Sequence, residues 1–379
     1  MKALFQCEAG EGTIFPLVPL AQALRSAGHE VFLAGHPTAV RHITAAGLPG
    51  VTIPQKEPRE FARTDGEGNI VPFPSEGPER YAEMGRVAGL MAVDTLAGYR
   101  TLARSWRPDV VIGSPQAYAA TLLAAELSVP RVEFTLDMSD TRPMDRAVVD
   151  ALRPQLAELG RTSMPGPDLV VSPCPQSVRP PDAKPALIMR HVPYSSMRPL
   201  EPWMYAKGER PRILVTAGSR VSRTYALDYL RSLIGAAARL DAEVIVAVPD
   251  EVVPDLGPLP EGAHAGWMPA DVVVPTCDLV IHQAGGITMT CMVSGVPQLV
   301  VPFMAGLDAY AERLVARGAA RMVRTEDAEG AALADAARDV LGTTSFLTAA
   351  AALRDEVLAA PSPGDVAARL ERLVSAARN

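Results

Sequence analysis

The chain has 379 residues, of which 48% are hydrophobic and 21% charged, and its formal net charge is −7. This length favours two domains over one core, and the acidic balance argues against non-specific binding to nucleic acid, which requires a basic face. No apolar run matches a signal peptide or a membrane-spanning helix, so a cytoplasmic protein without a membrane contact is expected.

In the first half, short apolar runs alternate with helical patterns. The predicted strands are 3–5, 30–34, 110–112 and 131–135, and the predicted helices are 15–26, 37–46, 79–105 and 118–127. Strands separated by helices are typical of a parallel α/β sheet. The proline-rich stretch 165–211 follows. Its prolines disfavour long helices and its arginines are expected to keep it solvated, so it is interpreted as the end of the first domain and a linker.

The same pattern restarts at Arg212. The predicted strands are 212–216, 243–248, 279–281 and a strand from 298, and the predicted helices are 224–239, 271–275, a segment after 288, 311–316, a segment from 331 and 365–377. The second half is therefore predicted to be another doubly wound α/β unit. The last helix is compatible with either domain.

Neither a metal nor another cofactor is expected. The four cysteines lie far apart and none has C-x-x-C spacing, which disfavours a zinc site and a disulfide framework. No Asp-x-Asp pair occurs that would hold a divalent cation against a diphosphate.

The stretch 277–302 carries the most specific motif. A short apolar strand ends at His282, a turn with Gly285 and Gly286 follows, and a helix begins near Thr288. Such a turn aims unpaired backbone N–H groups and the positive end of a helix dipole at one spot. That spot suits a phosphate, and His282 is predicted to lie at its rim as a further donor.

Two further segments of the second half are candidates for ligand binding. Ser219 and Arg220 follow the strand 212–216, and ligands of open α/β sheets bind outside the carboxyl ends of strands. The alternative is a plain turn in which Ser219 caps a helix. Trp267, followed by Met268, precedes a turn where an indole can stack on a nucleobase, and the alternative is core packing.

The first half contains a weaker glycine motif, Gly10-Glu11-Gly12. A nicotinamide-binding loop would have a third glycine where Phe15 stands and an acidic residue after the second strand, which ends at His36. A dinucleotide site is therefore disfavoured, and the glycines are expected to let an acceptor-side loop turn tightly.

Together these motifs resemble glycosyltransferases with two facing Rossmann-like domains, the GT-B type. The resemblance extends over nearly the full chain and is closest to actinobacterial enzymes that decorate polyketides. The linker 200–205 followed by RILVTAGSRV resembles the subgroup that acts on aromatic polyketides of the angucycline and tetracycline type. It implies an acceptor domain over 1–205, a donor domain over 206–362, and a helix within 363–379 that packs back on the first domain.

The resemblance also implies a thymidine diphosphate sugar as co-substrate and inversion of the anomeric centre. Trp267 and the main chain of Met268 would hold the pyrimidine. The predicted diphosphate ligands are Ser219, Arg220, His282, Gly285, Gly286 and Thr288. The predicted acceptor contacts are Glu11, Thr13, Met84 and Met91. The two methionines lie in an apolar stretch with helical spacing, for which core packing is the plain interpretation. The alternative is that part of this stretch forms an adaptable wall for a flat acceptor.

Two departures from this family's pattern concern the sugar and the base. Many relatives have Asp-Gln where Gly306 and Leu307 stand, and a catalytic His in the loop after the first strand, which here reads Glu8 to Thr13 without one. A site without polar groups leaves none unpaired when a sugar hydroxyl is missing, so a deoxysugar is expected, with Asp308 beside it.

Asp137 is the predicted base, because it follows a buried strand of the first domain at a carboxyl end. A carboxylate there would take a phenolic proton, so that the adjacent ring carbon attacks the sugar. Helix capping is the alternative role for Asp137. Glu8 and Glu11 are alternative bases, and Asp140 is disfavoured.

The sequence therefore predicts an inverting, metal-independent glycosyltransferase that forms a C-glycosidic bond between a deoxysugar and an aromatic polyketide in antibiotic biosynthesis. O-glycosylation of a polyketide hydroxyl is the main alternative. A nucleotide-sugar epimerase and an inactive partner protein are weaker ones. A homodimer is one option for its assembly.

Overall fold

The computed structural model of the chain describes residues 1–8, 10–75, 77–138, 140–304, 306–328 and 330–378. Two separate sheets with exclusively parallel pairing between their strands carry the fold, one in each half of the chain. The two-unit α/β architecture predicted from the alternation of apolar runs and helices is confirmed.

The first sheet has seven strands in the order β3-β2-β1-β4-β5-β6-β7. Its strands are β1 Lys2–Cys7, β2 Glu30–Gly35, β3 Gly50–Thr52, β4 Val110–Gly113, β5 Arg131–Phe134, β6 Leu169–Ser172 and β7 Leu187–Ile188. The central strands are apolar on both faces, since Leu4 and Phe5 point to opposite sides of β1 and both are fully buried.

The first half contains eight helices in the described residues, and the last of them packs on the second half through Met204. They are α1 Glu11–Ile14, α2 Val18–Ser26, α3 Pro37–Ala45, α4 Gly77–Ser105, α5 Tyr118–Leu127, α6 Asp145–Ala151, α7 Arg153–Glu158 and α8 Pro202–Tyr205. The helix predicted over 15–26 is interrupted by a 3₁₀ turn at Phe15–Leu17. Pro16 and Pro19 lack the N–H groups that a continuous α-helix would use there.

The second sheet has six strands in the order β10-β9-β8-β11-β12-β13. Its strands are β8 Arg212–Thr216, β9 Glu243–Ala247, β10 His264–Gly266, β11 Leu279–His282, β12 Gln298–Val300 and β13 Ala320–Met322. The helices that follow α8 in the described residues are α9 Leu227–Ala237, α10 Ala270–Val273, α11 Ile287–Ser294, α12 Asp308–Ala316, α13 Gly330–Gly342, α14 Thr344–Ala359 and α15 Pro363–Arg378. The helix predicted from 224 begins at Leu227, because Ser222 and Tyr225 pair across a tight turn before it.

The last helix, α15, packs on the first half. Val366, Leu370 and Val374 are buried in the same apolar cluster as Leu20 and Leu24 of α2. This contact supports the proposal that the segment 363–379 returns to the first of two domains divided near residue 205. Asn379 lies outside the described residues.

The border between the halves is filled by a segment of the first half. Cys174 and Val178 are fully buried in an apolar cluster formed mainly by α11, α12 and α14 of the second half. Across the described residues, no helix is both long and apolar enough to cross a membrane.

Candidate functional site

Apart from Met84 and Met91 on α4, the predicted site residues lie in or beside segments that follow the carboxyl ends of parallel strands. The strand order of each sheet reverses at one point. In the second sheet β9 lies on one side of β8 and β11 on the other, and in the first sheet β1 lies between β2 and β4. Chains leaving such neighbouring strands in opposite directions open a crevice that a ligand can enter.

His282 ends β11 and is fully buried. Its Nδ1 accepts the N–H of Ala284 at 3.0 Å, and its Nε2 lies 2.9 Å from Oε1 of Gln298. Burial lowers the pKa of His282 to about 4, so the ring is neutral and donates its Nε2–H to the Gln298 carbonyl. The structure therefore differs from the expectation of a rim donor: both ring nitrogens are used inside the protein, and His282 shapes the turn that follows.

That turn, the 283–288 turn, leads into α11. Ala284 has a left-handed backbone (φ 70), and Gly286 is the N-cap of α11 and makes no side-chain capping bond. The Thr288 hydroxyl is fully buried, with no hydrogen-bond partner within the described residues. A buried donor left unpaired is costly, so this hydroxyl marks a place where a ligand oxygen would be favoured.

Gln283 belongs to the same place and was not among the predicted residues. Its side chain is 8% exposed, and Oε1 has no partner in the part of the chain that the structure describes. A Cβ on Gly218 would lie 2.4 Å from its Nε2, and a Cβ on Gly285 2.8 Å. The amide thus fills the gap between the 283–288 turn and the turn after β8. Its sequence signal is a polar residue directly after a buried strand end.

The turn after β8, the 216–220 turn, faces the amide of Gln283. Gly218 has φ +88, and its N–H bonds to Oγ1 of Thr216 at 3.0 Å. Ser219 and Arg220 line a cavity of about 400 Å³ at the border of the two halves. Its remaining walls are formed by Gly10, Glu11, His42, Pro249, Asp250, Glu251 and Trp267. A larger depression of about 580 Å³ lies against α9 and holds none of the predicted residues.

Trp267 is held in this cavity wall by its polar edge. Its Nε1–H donates to the carbonyl of Ser196 at 3.2 Å, and its backbone N–H donates to Asp250 at 2.7 Å. Met268 is buried, so only its main chain is available to a ligand. Glu11, predicted as an acceptor contact, lies in the same cavity and 3.5 Å from the ring of His42.

The residues predicted to contact the sugar lie at the start of α12. Gly306 has a positive φ (91), and a Cβ there would lie 3.9 Å from the hydroxyl of Tyr81 on α4 of the first half. Leu307 is the N-cap of α12 and Asp308 its first residue. The start of α12 therefore faces the first half directly.

Asp137 follows β5 with a left-handed backbone (φ 53), in what we term the 135–138 turn. Its Oδ2 accepts the hydroxyl of Ser172 at 2.6 Å and Nε of Arg179 at 2.7 Å. Its Oδ1 lies 3.4 Å from the Thr135 hydroxyl, a weaker contact. Asp137 is therefore one half of a buried ion pair, with side-chain exposures of 10% for Asp137 and 3% for Arg179.

Arg179 corrects one expectation. The arginines of the stretch 165–211 were expected to keep it solvated, and for Arg179 this is wrong, because its guanidinium is buried between Asp137 and the carbonyl of Lys184. Composition does not reveal which arginine of a solvated stretch has a carboxylate within reach.

Glu8, an alternative base, follows β1 at the other switch point. Its carboxylate accepts the hydroxyl of Ser114, which follows β4, and burial raises the pKa of Glu8. Arg131 reaches the carbonyl of Ser114 at 2.8 Å, and its own pKa is lowered by burial to about 10. Asp140 is instead bonded to Arg142, which holds the pKa of that carboxyl below its usual value.

The predicted acceptor methionines lie on α4. Met84 and Met91 are both half-buried, and Met84 packs against the core below α4. Thr13 lies on α1 instead, where its hydroxyl donates to the carbonyl of Gly10 at 2.9 Å. The structure thus brings the donor-side residues together and spreads the predicted acceptor contacts over two places.

Two family models together match most of the chain. The family model "Erythromycin biosynthesis protein CIII-like, N-terminal domain" matches residues 22–218, and its C-terminal counterpart matches residues 231–373. L-demethylnoviosyl transferase of Streptomyces niveus is 31% identical over 374 residues, which cover 97% of each chain.

Solved structures of similar proteins agree with the fold. The glycosyltransferase SsfS6 of Streptomyces sp. SF2575, complexed with thymidine diphosphate, is 32% identical with a TM-score of 0.84 over 98% of this chain and 99% of that one. Spinosyn rhamnosyltransferase SpnG complexed with spinosyn aglycone is 29% identical with a TM-score of 0.85, covering 97% and 99%. The predicted GT-B fold is thereby confirmed.

Proposed function

This chain belongs to the erythromycin biosynthesis protein CIII-like family and is a glycosyltransferase, and we propose that it moves a deoxysugar from a thymidine diphosphate donor to an aromatic polyketide. One observation carries the proposal. The Thr288 hydroxyl is buried without a partner among the described residues, at the end of a turn in which the amide nitrogen of Gln283 faces the turn after β8. A diphosphate oxygen would accept from that hydroxyl and from that amide nitrogen.

The diphosphate is proposed to bind between the 216–220 and 283–288 turns. Its oxygens would accept from backbone N–H groups at Gly285 and Gly286, from the Thr288 hydroxyl and from the amide of Gln283. Ser219 and Arg220 would approach from the other turn. These donors replace a metal ion in stabilising the leaving diphosphate, as an oxyanion hole does. SsfS6 with bound thymidine diphosphate supports this nucleotide.

The nucleoside is proposed to lie against Trp267. The indole is already oriented by its bond to Ser196, so stacking a pyrimidine requires little further ordering. Because Glu11 lines the same cavity, we propose that it closes the nucleotide end, in addition to its predicted place near the acceptor.

The sugar is proposed to lie at the start of α12, against Gly306, Leu307 and Asp308. Apolar groups there suit methylene carbons, while the carboxylate of Asp308 accepts from a remaining hydroxyl. Spinosyn rhamnosyltransferase is a similar protein, and rhamnose is itself a deoxyhexose.

The chemistry is proposed to begin at Asp137. Its carboxylate takes the phenolic proton of the acceptor, the phenolate carbon beside the oxygen attacks the anomeric carbon, and the bond to the diphosphate oxygen breaks with its electron pair. The ring regains aromaticity when the proton on the attacked carbon passes to solvent water and the protonated Asp137 returns its proton to the ring oxygen. The product is a C-glycoside with inverted configuration, and the carboxylate is restored. Attack by the phenolate oxygen instead gives the alternative, an O-glycoside.

A product assay separates these outcomes. Purified protein is incubated with a thymidine diphosphate deoxysugar and aromatic polyketide aglycones, and the product is heated in acid. A C-glycoside survives, whereas release of the sugar rejects C-glycosylation and supports the O-linked alternative. Glu8→Gln serves as the matched control for Asp137→Asn. Full turnover by Asp137→Asn with loss in Glu8→Gln would move the base to Glu8.

A further inference from the structure

One helix of the donor half reaches both the proposed sugar site and the proposed base. Helix α12 begins at Asp308, and Arg313 follows little more than a turn later. The Arg313 guanidinium donates through Nε to the carbonyl of Val178 at 2.7 Å and through a terminal nitrogen to the carbonyl of Asp137 at 2.6 Å. The guanidinium also lies over the ring of Tyr310, and the distance from its Cζ to the ring centroid is 5.3 Å.

The Asp137 residue is thereby fixed at three points. Arg179 and Ser172 hold its carboxylate, Thr135 accepts its backbone N–H at 3.1 Å, and Arg313 holds its carbonyl. Its left-handed backbone is unfavourable for a residue with a Cβ, so such contacts are what keep it there. Of these partners, Arg313 alone comes from the donor half.

We propose that Arg313 is a positioning residue, which sets the distance between the Asp137 carboxylate on the acceptor half and the sugar at the start of α12. The inference rests on the proposed function. Since Arg313 touches the peptide carbonyl rather than the carboxylate, it acts on where the base lies and leaves the donor pocket unchanged. A misplacement of about 1 Å costs on the order of 100-fold in rate.

Arg317 provides a matched control on the same helix. It lies one turn further along α12 and donates to the carbonyl of Ser177 at 2.7 Å, in the same segment that Arg313 contacts through Val178. Arg317→Ala therefore loosens the contact between the halves without touching Asp137.

The experiment uses the full chain and measures kcat, the donor KM, the Kd of thymidine diphosphate and the pH profile of kcat. Arg313→Ala is expected to lower kcat by about 10- to 100-fold with Kd unchanged within about 2-fold. Arg313→Lys, which retains one donor to the Asp137 carbonyl, should recover part of the rate. Arg317→Ala should stay within about 3-fold of wild type.

A double variant makes the inference refutable. Because Arg313 acts through Asp137, adding Arg313→Ala to Asp137→Asn should lower kcat no further. A full additional loss, or equal losses in Arg313→Ala and Arg317→Ala, overturns the inference. If the wild-type protein itself transfers no sugar, the proposed function falls and this inference with it. Transfer with an unaffected Arg313→Ala rejects the inference alone.

Discussion

Two turns of the molecule each hold a non-glycine residue in a left-handed backbone conformation, but by different contacts. Ala284 in the 283–288 turn and Asp137 in the 135–138 turn both follow a parallel strand and both have left-handed backbones, with φ 70 and φ 53. The first is held by a neutral ring, because His282 accepts the Ala284 N–H. The second is held by charge, because the Asp137 carboxylate is paired with Arg179.

The difference matches the ligand that each turn is proposed to receive. A neutral framework places no charge of the 283–288 turn itself beside a bound diphosphate, so the backbone donors of that turn remain available. A carboxylate fixed in place suits a neutral acceptor that has a proton to lose. If this is right, variants of the 283–288 turn should change nucleotide binding, whereas variants of the 135–138 turn should change the reaction rate.

The largest effect is expected at the charged turn. Asp137→Asn should lower kcat by roughly 100- to 10,000-fold, the usual worth of a general base, with the Kd of thymidine diphosphate unchanged. It also leaves Arg179 as a buried unpaired charge, so the free energy of unfolding should fall by about 3–5 kcal/mol. Steady-state kinetics and denaturant unfolding measure the two effects.

The control for this prediction is the double variant Asp137→Asn with Arg179→Met. It removes both charges, so stability should largely return while kcat stays low. Recovery of kcat together with stability would show that Asp137 matters for folding alone.

The next effect is expected at the neutral turn. A Cβ on Gly286 meets no atom within 4 Å in the structure, so Gly286→Ala should leave stability unchanged. If a diphosphate occupies that space, the Kd of thymidine diphosphate should rise about 10-fold or more by calorimetry.

Gly218→Ala is the comparison for this variant. Its φ is +88 and its Cβ would lie 2.4 Å from Gln283, so this change should lower stability as well as affinity. Unchanged thymidine diphosphate binding in Gly286→Ala would exclude the 283–288 turn as the diphosphate site.

A pH dependence of stability is expected from the neutral ring. The pKa of His282 is lowered by burial from 6.5 to about 4. Between those pH values the unfolded chain binds a proton that the folded chain does not, so the free energy of unfolding falls as the pH is lowered, by about 1.4 kcal/mol per pH unit for this ring. Urea unfolding from pH 7 to pH 4 measures the slope.

His282→Asn tests the assignment, because an amide oxygen can still accept the Ala284 N–H without titrating. The variant should show the shallower slope. His191, whose pKa burial also lowers to about 4, keeps its own contribution in both proteins. Parallel slopes in wild type and variant would mean that His282 does not carry the effect.

The smallest effects are expected when one threonine hydroxyl in each turn is replaced by a methyl group. Thr135→Val removes the hydroxyl that accepts the Asp137 N–H, and stability should fall by about 1 kcal/mol. Thr288→Val removes a buried hydroxyl without a partner in the described residues, so stability should hold or rise while thymidine diphosphate binds more weakly. Equal destabilisation by both would contradict the distinction.

The sequence was sufficient for the framework and for the neighbourhood of the 283–288 turn. Apolar strands such as β4 and β11, bounded by helices, are long enough for the pattern to show. The short strands β3, β6, β7, β10 and β13 were not predicted, because two to four residues beside glycine or proline turns carry little periodicity. The orientation of the His282 and Arg179 side chains could not be predicted, for another reason. Whether a polar side chain faces a ligand or its own fold depends on partners distant in the chain, here Gln298 and Asp137.

The last helix has a consequence for the order of folding. Because α15 contributes Val366, Leu370 and Val374 to the core around α2, that core is incomplete until residues after the entire second sheet have left the ribosome. His29 next to α2 also bonds to Glu371 of α15 at 2.7 Å. The first half of the chain is synthesised first, but its core is completed last. The strands of the second sheet and the helices that connect them all lie within one continuous stretch of chain, so the second half is free to fold before it.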